Sequence, residues 1–294
     1  MCFSEAYTES PVLREWLERF GIRVRGDAEV YAVYGRDRDV LRALREVDRV
    51  VVGVSPPGVD ARLAAFELRE LSNLGGVECE VVEVLRLSAE TPHGSVVGVN
   101  EIAVFPERPA TFLRYFLYVD GVFRFNDLSD GVLVATPLGS TAYAYSAGGL
   151  VVDLRASVLE VVPVSSAMAR RALVLPQSAL VEIRDVVSRE SVAVIADGAA
   201  QVRAGSYVAV RGAGRGRLMM RVGRAPAALR LTPTAQLVRK LLAERGPLTV
   251  YEIAELAGIS TRSARAVLKK LREAGAVKAL PDPTNPKRKL YFLT

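Results

Sequence analysis

The sequence predicts an α/β layer, then an antiparallel β-rich domain, then a small C-terminal domain of three helices and a β-hairpin. Three observations predict this order. Strand and helix patterns alternate near the N-terminus, short alternating strands fill the middle of the chain, and helical periodicity returns near the C-terminus. We therefore expect domains over residues 1–90, 91–222 and 231–294.

Composition indicates a globular protein with a sizeable core, since half of the 294 residues are apolar. No apolar run is long enough to cross a membrane, and the N-terminus lacks the blocks of a signal peptide. We expect a cytoplasmic protein with no membrane partner. Cys2 and Cys79 lack metal-ligand spacing and are expected to be an unpaired tail residue and a core thiol. The single histidine disfavours a zinc site or a histidine-based triad, so no metal ligand is predicted.

The N-terminal layer begins with PVLREWLERF, residues 11–20, which has helical periodicity. A strand from residue 28, the helix RDVLRALREV and a strand over Val50–Val54 then form a βαβ unit, which is typical of a Rossmann-like layer. The segment DARLAAFELRELSNLGG predicts a second helix that ends at its glycines.

The loop after Val50–Val54 is unusual for its position. A buried strand of this kind often leads to a glycine-rich loop whose backbone N–H groups bind phosphate. Here the loop reads Ser55-Pro56-Pro57-Gly58, and its two prolines carry no N–H group. The sequence therefore places a donor-poor loop where a phosphate site is usual.

The middle of the chain predicts an antiparallel, sandwich-like β domain, because short strand-like runs are separated by turn residues. The predicted strands are ECEVVEVLRL, NEIAVF, TFLRYFLYVDG, VLVAT, SVLEVVPV, SVAVIADG and YVAVRG. The tract RGAGRGR is expected to precede a last strand, and APAALRLTPT is expected to be a linker.

The C-terminal segments TAQLVRKLLAERG, TVYEIAELAG and ISTRSARAVLKKLREAG predict three helices, the third with Ser260 as its N-cap and Gly275 past its end. The strands VKALP and KRKLYFL follow. Three helices and a β-hairpin form the winged helix-turn-helix pattern, which resembles many bacterial and archaeal transcription regulators. Residues 231–294 hold twelve Lys and Arg but five Asp and Glu, so the excess basicity of the chain lies here.

The third helix has two distinct faces. One is apolar and is expected to be buried, through Ala264, Val267, Leu268 and Leu271. The other face is basic and is expected to enter the major groove of DNA, with the wing on the phosphates. The residues assigned to DNA are Arg262, Arg265, Lys269 and Arg272 on the helix and Lys287, Arg288 and Lys289 on the wing. The alternative is a solvated basic helix in a domain that docks a protein.

Residues 130–149, DGVLVATPLGSTAYAYSAGG, resemble the NAD kinase family. That family has a D-G-hydrophobic strand followed by T-P-x-G-S-T-A-Y and S-A-G-G, and each fixed position is present. Asn100-Glu101 and Asp197-Gly198 resemble two further family motifs in the right order. The resemblance covers about residues 28–222 and is strongest over 96–200.

The resemblance implies an NAD kinase-type β-sandwich domain that binds NAD or NADP. Asn100 and Glu101 would hold the adenosine half, since an amide pairs with an adenine edge and a carboxylate accepts from ribose hydroxyls. The remaining assigned residues are Thr141, Ala142 and Tyr143 lining the pocket, Asp130 and Ser146 at the nicotinamide end, and Asp197. Relatives in the family are oligomers, so a homodimer or homotetramer is expected.

The family's Gly-Gly-Asp-Gly motif, whose Asp acts on the ribose 2′-hydroxyl, is missing after the early strand. Gly58-Val59-Asp60-Ala61 keeps the Gly and Asp spacing, and Asp60 is the one candidate catalytic base. Asp60 also precedes a predicted helix, where Asp is a favoured N-cap, and this structural interpretation is preferred.

Two functions remain open from the sequence. The preferred one is a catalytically degenerate, ligand-responsive DNA-binding regulator that binds NAD or NADP. The alternative is an active NAD kinase that phosphorylates the 2′-hydroxyl of NAD with Mg²⁺ and ATP or polyphosphate. A lipid or other small-molecule kinase is disfavoured, because the TPLGSTAY and Asn-Glu context belongs to the dinucleotide-binding branch.

Overall fold

The computed structural model describes residues 2–59, 61–222, 233–273, 277–282 and 285–293. The chain divides into two compact units, Met1–Arg224 and Ala225–Thr294. Asp60, Gly275 and most of the expected linker lie outside the described residues. In the part of the chain that is described, no helix is long and apolar enough to span a bilayer.

Helices are few in the first unit and concentrated in the second. They are α1 (Pro11–Arg19), α2 (Asp37–Glu46), α3 (Tyr143–Ser146), α4 (Pro233–Arg245), α5 (Val250–Leu256) and α6 (Thr261–Glu273). Two 3₁₀ segments span Leu68–Gly76 and Gly139–Thr141.

The strands fall into a mixed sheet, an antiparallel sheet and two small sheets. In chain order they are β1 (Glu5–Ala6), β2 (Arg23–Val24), β3 (Val30–Tyr34), β4 (Val50–Ser55), β5 (Ala64–Glu67), β6 (Cys79–Thr91), β7 (Gly94–Gly98), β8 (Glu101–Pro106), β9 (Leu113–Val119), β10 (Val122–Ser129), β11 (Gly131–Ala135), β12 (Val158–Val164), β13 (Leu173–Pro176), β14 (Val181–Val187), β15 (Val192–Ala196), β16 (Ala200–Arg203), β17 (Tyr207–Arg221), β18 (Leu248–Thr249), β19 (Val277–Asp282) and β20 (Asn285–Leu293).

The mixed sheet has nine strands among the described residues. Its main path is β10-β9-β14-β17-β4-β3, with β5 on β4, β6 on β17 and β7 on β6. Strands β3, β4 and β5 are parallel, and β17 is parallel to β4. This sheet takes strands from both sides of residue 90. The domain boundary expected at that residue stays a prediction.

The second large sheet has the order β13-β12-β11-β8-β15-β16 and is antiparallel throughout. Its inner side chains, such as Ile102, Val132 and Leu159, share one buried cluster with Tyr115 and Leu117 of the nine-stranded sheet. Burying these residues from both sheets is the main hydrophobic stabilisation of the first unit.

The βαβ unit predicted near the N-terminus is confirmed as β3, α2 and β4. The first predicted helix is also confirmed, and the hydroxyl of Ser10 caps it by accepting the Leu13 amide at 3.2 Å. Helix α2 buries Val40 and Leu44, the apolar stripe that its periodicity indicates.

The second helix predicted from DARLAAFELRELSNLGG is wrong. Residues Ala64–Glu67 form strand β5, parallel to β4, and Leu68–Gly76 form the 3₁₀ segment. Alanine, leucine and glutamate favour a helix locally, but consecutive Ala64, Ala65 and Phe66 are all buried, as in a strand covered on both faces. The N-cap interpretation of Asp60 loses its basis, since no helix begins in residues 61–67.

The tract RGAGRGR is a further correction, because it lies inside the single strand β17 and does not precede a separate one. The strand stays continuous through a register shift between Gly212 and Arg215 against β6. Such a bulge accommodates the glycine-rich sequence without ending the sheet.

The second unit has the predicted order of three helices and a hairpin. Strands β18, β20 and β19 form its small sheet. Its core contains Val238, Leu242, Ile253 and Leu268. The Ser260 hydroxyl accepts the Ser263 amide at 3.1 Å, so Ser260 caps α6 as predicted.

The expectation of unpaired cysteines is wrong, because Cys2 and Cys79 form a disulfide across a sequence separation of 77 residues. No local spacing signals this pair. The two residues meet because the N-terminal segment and the start of β6 pack against one cluster that contains Leu71 and Met219.

We predict that Cys2→Ser lowers the free energy of unfolding by up to about 4 kcal/mol, since the crosslink restricts a long loop in the unfolded chain. Denaturant unfolding with and without dithiothreitol measures this. Reductant should bring the wild-type protein to the stability of the variant and leave the variant unchanged. A wild-type curve that reductant does not move would contradict the prediction.

Candidate functional site

The site lies at one end of the central strands of the six-stranded sheet, where β8, β11 and β12 place Glu101, Ala135 and Glu160 side by side. Ala135, the last residue of β11, pairs with Glu101 on β8 and with Glu160 on β12. After Ala135 the chain turns through the 3₁₀ segment Gly139–Thr141 into the short helix α3. The TPLGSTAY motif therefore covers the ends of strands that carry two carboxylates.

The backbone of this turn lies directly against the Asn100 loop. A Cβ built on Gly139 would be 1.9 Å from the Asn100 carbonyl oxygen, so no side chain fits there. The Thr136 hydroxyl donates to the Val99 carbonyl at 2.6 Å and accepts the Gly139 amide at 3.1 Å. The motif's Thr and Gly thus pack two loops together, which positions Asn100 and Glu101.

Asp197 holds the same loop from the other side. Its carboxylate has no exposed surface and accepts the amides of Val99 at 3.0 Å and Asn100 at 2.8 Å. It also pairs with the Arg45 guanidinium of α2 at 2.5 Å. Asp197 has a left-handed backbone, with φ of 50°, and Gly198 continues it with φ of 65°. In this structure the Asp-Gly pair is an anchor for the loop, and its contact with a ligand stays a prediction.

Glu101 is the buried carboxylate of the site, with 7% of its surface exposed. Its Oε2 atom has no hydrogen-bond partner among the described residues. Burial, and secondarily the negative charge of Asp197, raise the pKa of Glu101 to about 7. A buried acceptor without a donor is costly to the free protein, and a ligand hydroxyl would satisfy it.

Tyr143 forms the outer wall next to Glu101. Its ring stacks on Phe105 with centroids 5.9 Å apart, and 43% of its surface is exposed. Burial, then the nearby carboxylates of Asp130 and Glu101, raise the pKa of the Tyr143 hydroxyl. Asp130 itself is exposed.

The structure brings some of the predicted site residues together and leaves others exposed. Asn100 and Glu101 lie where β8 begins, and Thr141, Ala142 and Tyr143 lie where the 3₁₀ segment leads into α3. The two segments pack together at Gly139 and Asn100. The side chain of Ser146 is exposed at the end of α3.

Glu160 is a buried residue of this site that the sequence analysis did not predict. It is 1% exposed, its Oε1 accepts the Leu150 amide at 2.5 Å, and its Oε2 has no partner among the described residues. Gly149 lies over it, with room for no Cβ between the Ala144 carbonyl and the Glu160 carboxylate. Burial raises the pKa of Glu160. The available signal was a charged residue inside the apolar strand VLEVVPV.

The loop after β4 closes on itself. The Val59 amide donates to the Pro56 carbonyl at 3.1 Å, and Gly58 has a left-handed φ of 73°. Pro56 and Pro57 have no N–H group, so Gly58 is the described residue of this turn whose amide is left for a ligand. The donor-poor character predicted for this loop is confirmed.

The basic face of α6 is exposed, and its opposite face is buried through Ala264, Leu268 and Leu271, as predicted. Val267, predicted to be buried with them, is only partly buried and packs against the same cluster. The side chains exposed on the basic side are Arg262, Arg265, Lys269 and Arg272 of α6 and Arg288 and Lys289 of β20. The Arg288 guanidinium lies 5.6 Å from the centre of the Tyr251 ring. The side chain of Lys287 lies outside the described residues.

Two family profiles match the chain. The ATP-NAD kinase C-terminal domain matches residues 99–217, and the sugar-specific transcriptional regulator TrmB matches residues 235–293. The NAD kinase of Brucella suis is 31% identical over 54% of this chain, and the match spans 64% of that protein. The NAD kinase of Cereibacter sphaeroides is 32% identical over 65% of this chain and 80% of its own length. That of Methanoregula boonei is 34% identical over 62% and 70%.

Solved structures share the fold. An NAD kinase from Archaeoglobus fulgidus, solved in complex with ATP, has a TM-score of 0.59 at 23% identity and covers 74% of this chain and 92% of its own. Yeast NADH kinase complexed with NADH has a TM-score of 0.61 at 19% identity and covers 74% of this chain and 83% of its own.

We predict that Glu101 makes the free protein less stable as the pH rises. Its folded-state pKa of about 7 lies above the ordinary 4.5, so its stabilising contribution is complete below about pH 4.5 and is lost as the pH rises through 7. The full shift corresponds to at most about 3 kcal/mol. Glu101→Gln should therefore gain stability relative to wild type at pH 8 compared with pH 5, measured by denaturant unfolding.

Glu107→Gln is the control, because Glu107 is an exposed carboxylate just beyond the same strand. Its difference from wild type should not change between the two pH values. If Glu101→Gln behaves like this control, Glu101 is not the buried acid described above.

Proposed function

This chain belongs to the NAD kinase family, and we propose that its first unit binds NAD or NADP while its second unit binds DNA. In this proposal the protein is a ligand-responsive transcriptional regulator, and bound dinucleotide biases how the DNA-binding domains sit on an operator. The orphaned Glu101 carboxylate in the TPLGSTAY site supports dinucleotide binding most directly.

The residues of the site suit a dinucleotide. The Asn100 amide can pair with an adenine edge, and the Glu101 carboxylate can accept hydrogen bonds from ribose hydroxyls. The absence of a side chain at Gly139 lets the two loops close tightly, and the partly exposed Tyr143 ring offers an aromatic face to a planar group. In this proposal these residues bind and orient the ligand.

The loop after β4 supports a regulator over a kinase. Phosphoryl transfer needs backbone donors and cations that neutralise the transferred phosphate, together with a base that orients the hydroxyl. Pro56 and Pro57 remove donors, and the turn uses the Val59 amide internally. A pocket that keeps its dinucleotide residues and loses its phosphate cradle binds a ligand without transferring phosphate to it.

Active NAD kinase is the second candidate, and the relatives named NAD kinase favour it. Asp60 would then act as the base on the ribose 2′-hydroxyl, with Mg²⁺ and ATP or polyphosphate as co-substrates. Because no helix begins in residues 61–67, the competing N-cap role of Asp60 is removed, and this favours the kinase candidate more than the sequence alone does.

DNA binding is supported by the second unit. A winged helix-turn-helix domain would place α6 in the major groove and the β19–β20 hairpin on the phosphates. The exposed basic side chains described above lie on α6 and on β20, which are the elements that would contact DNA. A homodimer or homotetramer would present two such domains to a palindromic operator.

We predict that the purified protein, mixed with NAD, Mg²⁺ and either ATP or polyphosphate, forms no NADP, while NAD or NADP still raises its melting temperature. Enzymatic detection of NADP and thermal unfolding measure the two parts. Turnover that Asp60→Ala abolishes would establish the kinase and overturn the sensor proposal. A melting temperature that neither dinucleotide moves would overturn dinucleotide binding itself.

We predict that Arg265→Ala weakens binding to a selected operator by about 10-fold or more, because each bidentate Arg–guanine pair contributes about 1–3 kcal/mol. Arg38→Ala, at an exposed arginine of the first unit, is the matched control and should leave binding unchanged. Fluorescence anisotropy at several salt concentrations measures both. Equal affinity of the two variants would count against α6 as the recognition helix.

A further inference from the structure

A charged side chain of the β4–β5 loop reaches the dinucleotide site. The Nη1 atom of Arg62 donates to the Thr141 carbonyl at 2.9 Å, across 79 residues of sequence. Thr141 ends the Gly139–Thr141 segment, which contacts Asn100 through Gly139. The loop that lost its backbone donors therefore delivers a guanidinium to the edge of the pocket.

The residues that follow Arg62 are held in place by contacts with α2 and β4. The Leu63 amide donates to Asp37 Oδ1 at 2.8 Å, which ties the loop to the start of α2. A Cβ on Gly53 would be 2.8 Å from the Ala64 Cα atom, so β4 and the end of the loop are in close contact. Because these contacts fix the backbone on the C-terminal side of Arg62, less entropy is lost when the side chain binds a ligand.

Most N–H donors of the Arg62 guanidinium have no hydrogen-bond acceptor among the described residues. Apart from the neighbouring Asp60, which is not described, the Thr141 carbonyl is the one hydrogen-bond acceptor found for it, and no described carboxylate lies within ion-pair distance. A guanidinium has five N–H donors in a planar fork that matches phosphate oxygens. Within the described part of the chain, one of these five donors is used, by the Thr141 carbonyl, and the other four can serve an anion beside it.

The electrostatics of the pocket favour a cation beside a bound anion. Glu101 and Glu160 are buried carboxylates, and Asp130 lies close enough to affect the Tyr143 hydroxyl. Arg45 is committed to Asp197 at 2.5 Å. A dinucleotide brings further negative charge, and a nearby positive group would offset its repulsion from these carboxylates.

We propose that Arg62 binds a phosphate group of the dinucleotide beside the Thr141 turn. This proposal rests on the dinucleotide-binding function proposed above. The phosphate is either the pyrophosphate, which NAD and NADP share, or the 2′-phosphate, which NADP alone carries. Arg62 acts as a specificity-determining residue in the second case and as a general affinity residue in the first.

The test compares Arg62→Met, Arg62→Lys and the control Arg69→Met by titration calorimetry with NAD, NADP and adenosine. Arg69 is an exposed arginine in the 3₁₀ segment that follows β5. Losing a charge-assisted phosphate contact should weaken binding by about 10- to 100-fold in Arg62→Met. Arg62→Lys should lose less, since it keeps the charge without the fork, and Arg69→Met should match wild type.

The two phosphate sources give different patterns. Weakening of NAD and NADP alike indicates the pyrophosphate, and weakening of NADP alone indicates the 2′-phosphate. In either case adenosine affinity should stay at the wild-type value, and the salt dependence of dinucleotide binding should fall in Arg62→Met.

Three results would overturn the proposal. If Arg62→Met binds both dinucleotides as wild type does, Arg62 has no phosphate role, although the dinucleotide function stands. If adenosine affinity falls in parallel with dinucleotide affinity, in Arg62→Met and Arg62→Lys alike, Arg62 only supports the Thr141 turn. If the wild-type protein itself binds neither NAD nor NADP, the proposed function and the role of Arg62 fail together.

Discussion

The site depends on one buried carboxylate, that of Asp197. It accepts amides of the loop that carries Asn100 and Glu101, and it pairs with Arg45 of α2 in the βαβ unit. These contacts join segments separated by 98 and 152 residues of sequence. Removal of one partner of a buried ion pair typically costs about 3–5 kcal/mol, because the other charge is left uncompensated. The loop position and the packing of α2 against the sheets are therefore fixed together.

That arrangement has an electrostatic consequence for Glu101. Asp197 contributes to the raised pKa of Glu101, and Glu160 adds a second buried acid in the same row of the sheet. The free site is rich in acceptors and poor in donors. Ligand groups that suit it are hydroxyls and amides beside the carboxylates, together with an anion only where Arg62 reaches the Thr141 turn.

The two units carry different kinds of charged residues. The first carries the buried acids and the loops that pack around Gly139, and the second carries most of the excess positive charge on α6 and β20. A ligand in the first unit can regulate DNA binding only if it has different affinity for two arrangements of the protein. The proposed regulator therefore requires a coupling free energy that the dinucleotide supplies through its contacts in the first unit.

The sequence by itself determined the features that local physics controls. Periodicity and capping gave α1, α2 and the three C-terminal helices. The motif over residues 130–149 located the two loops of the site, and the two prolines predicted the donor-poor turn. These signals act within a few residues, through hydrogen bonding to the backbone and through one buried face per element.

The tertiary structure alone decided the rest, because those features depend on residues distant in sequence. Pairing with β4 turned the helix-like segment Ala64–Glu67 into a strand, against its local propensity. Packing of the N-terminal segment brought Cys2 to Cys79, although no spacing relates them. The use of Asp197 as a loop anchor, the burial of Glu160 and the contact of Arg62 with Thr141 likewise follow from which strands and loops meet in the folded chain.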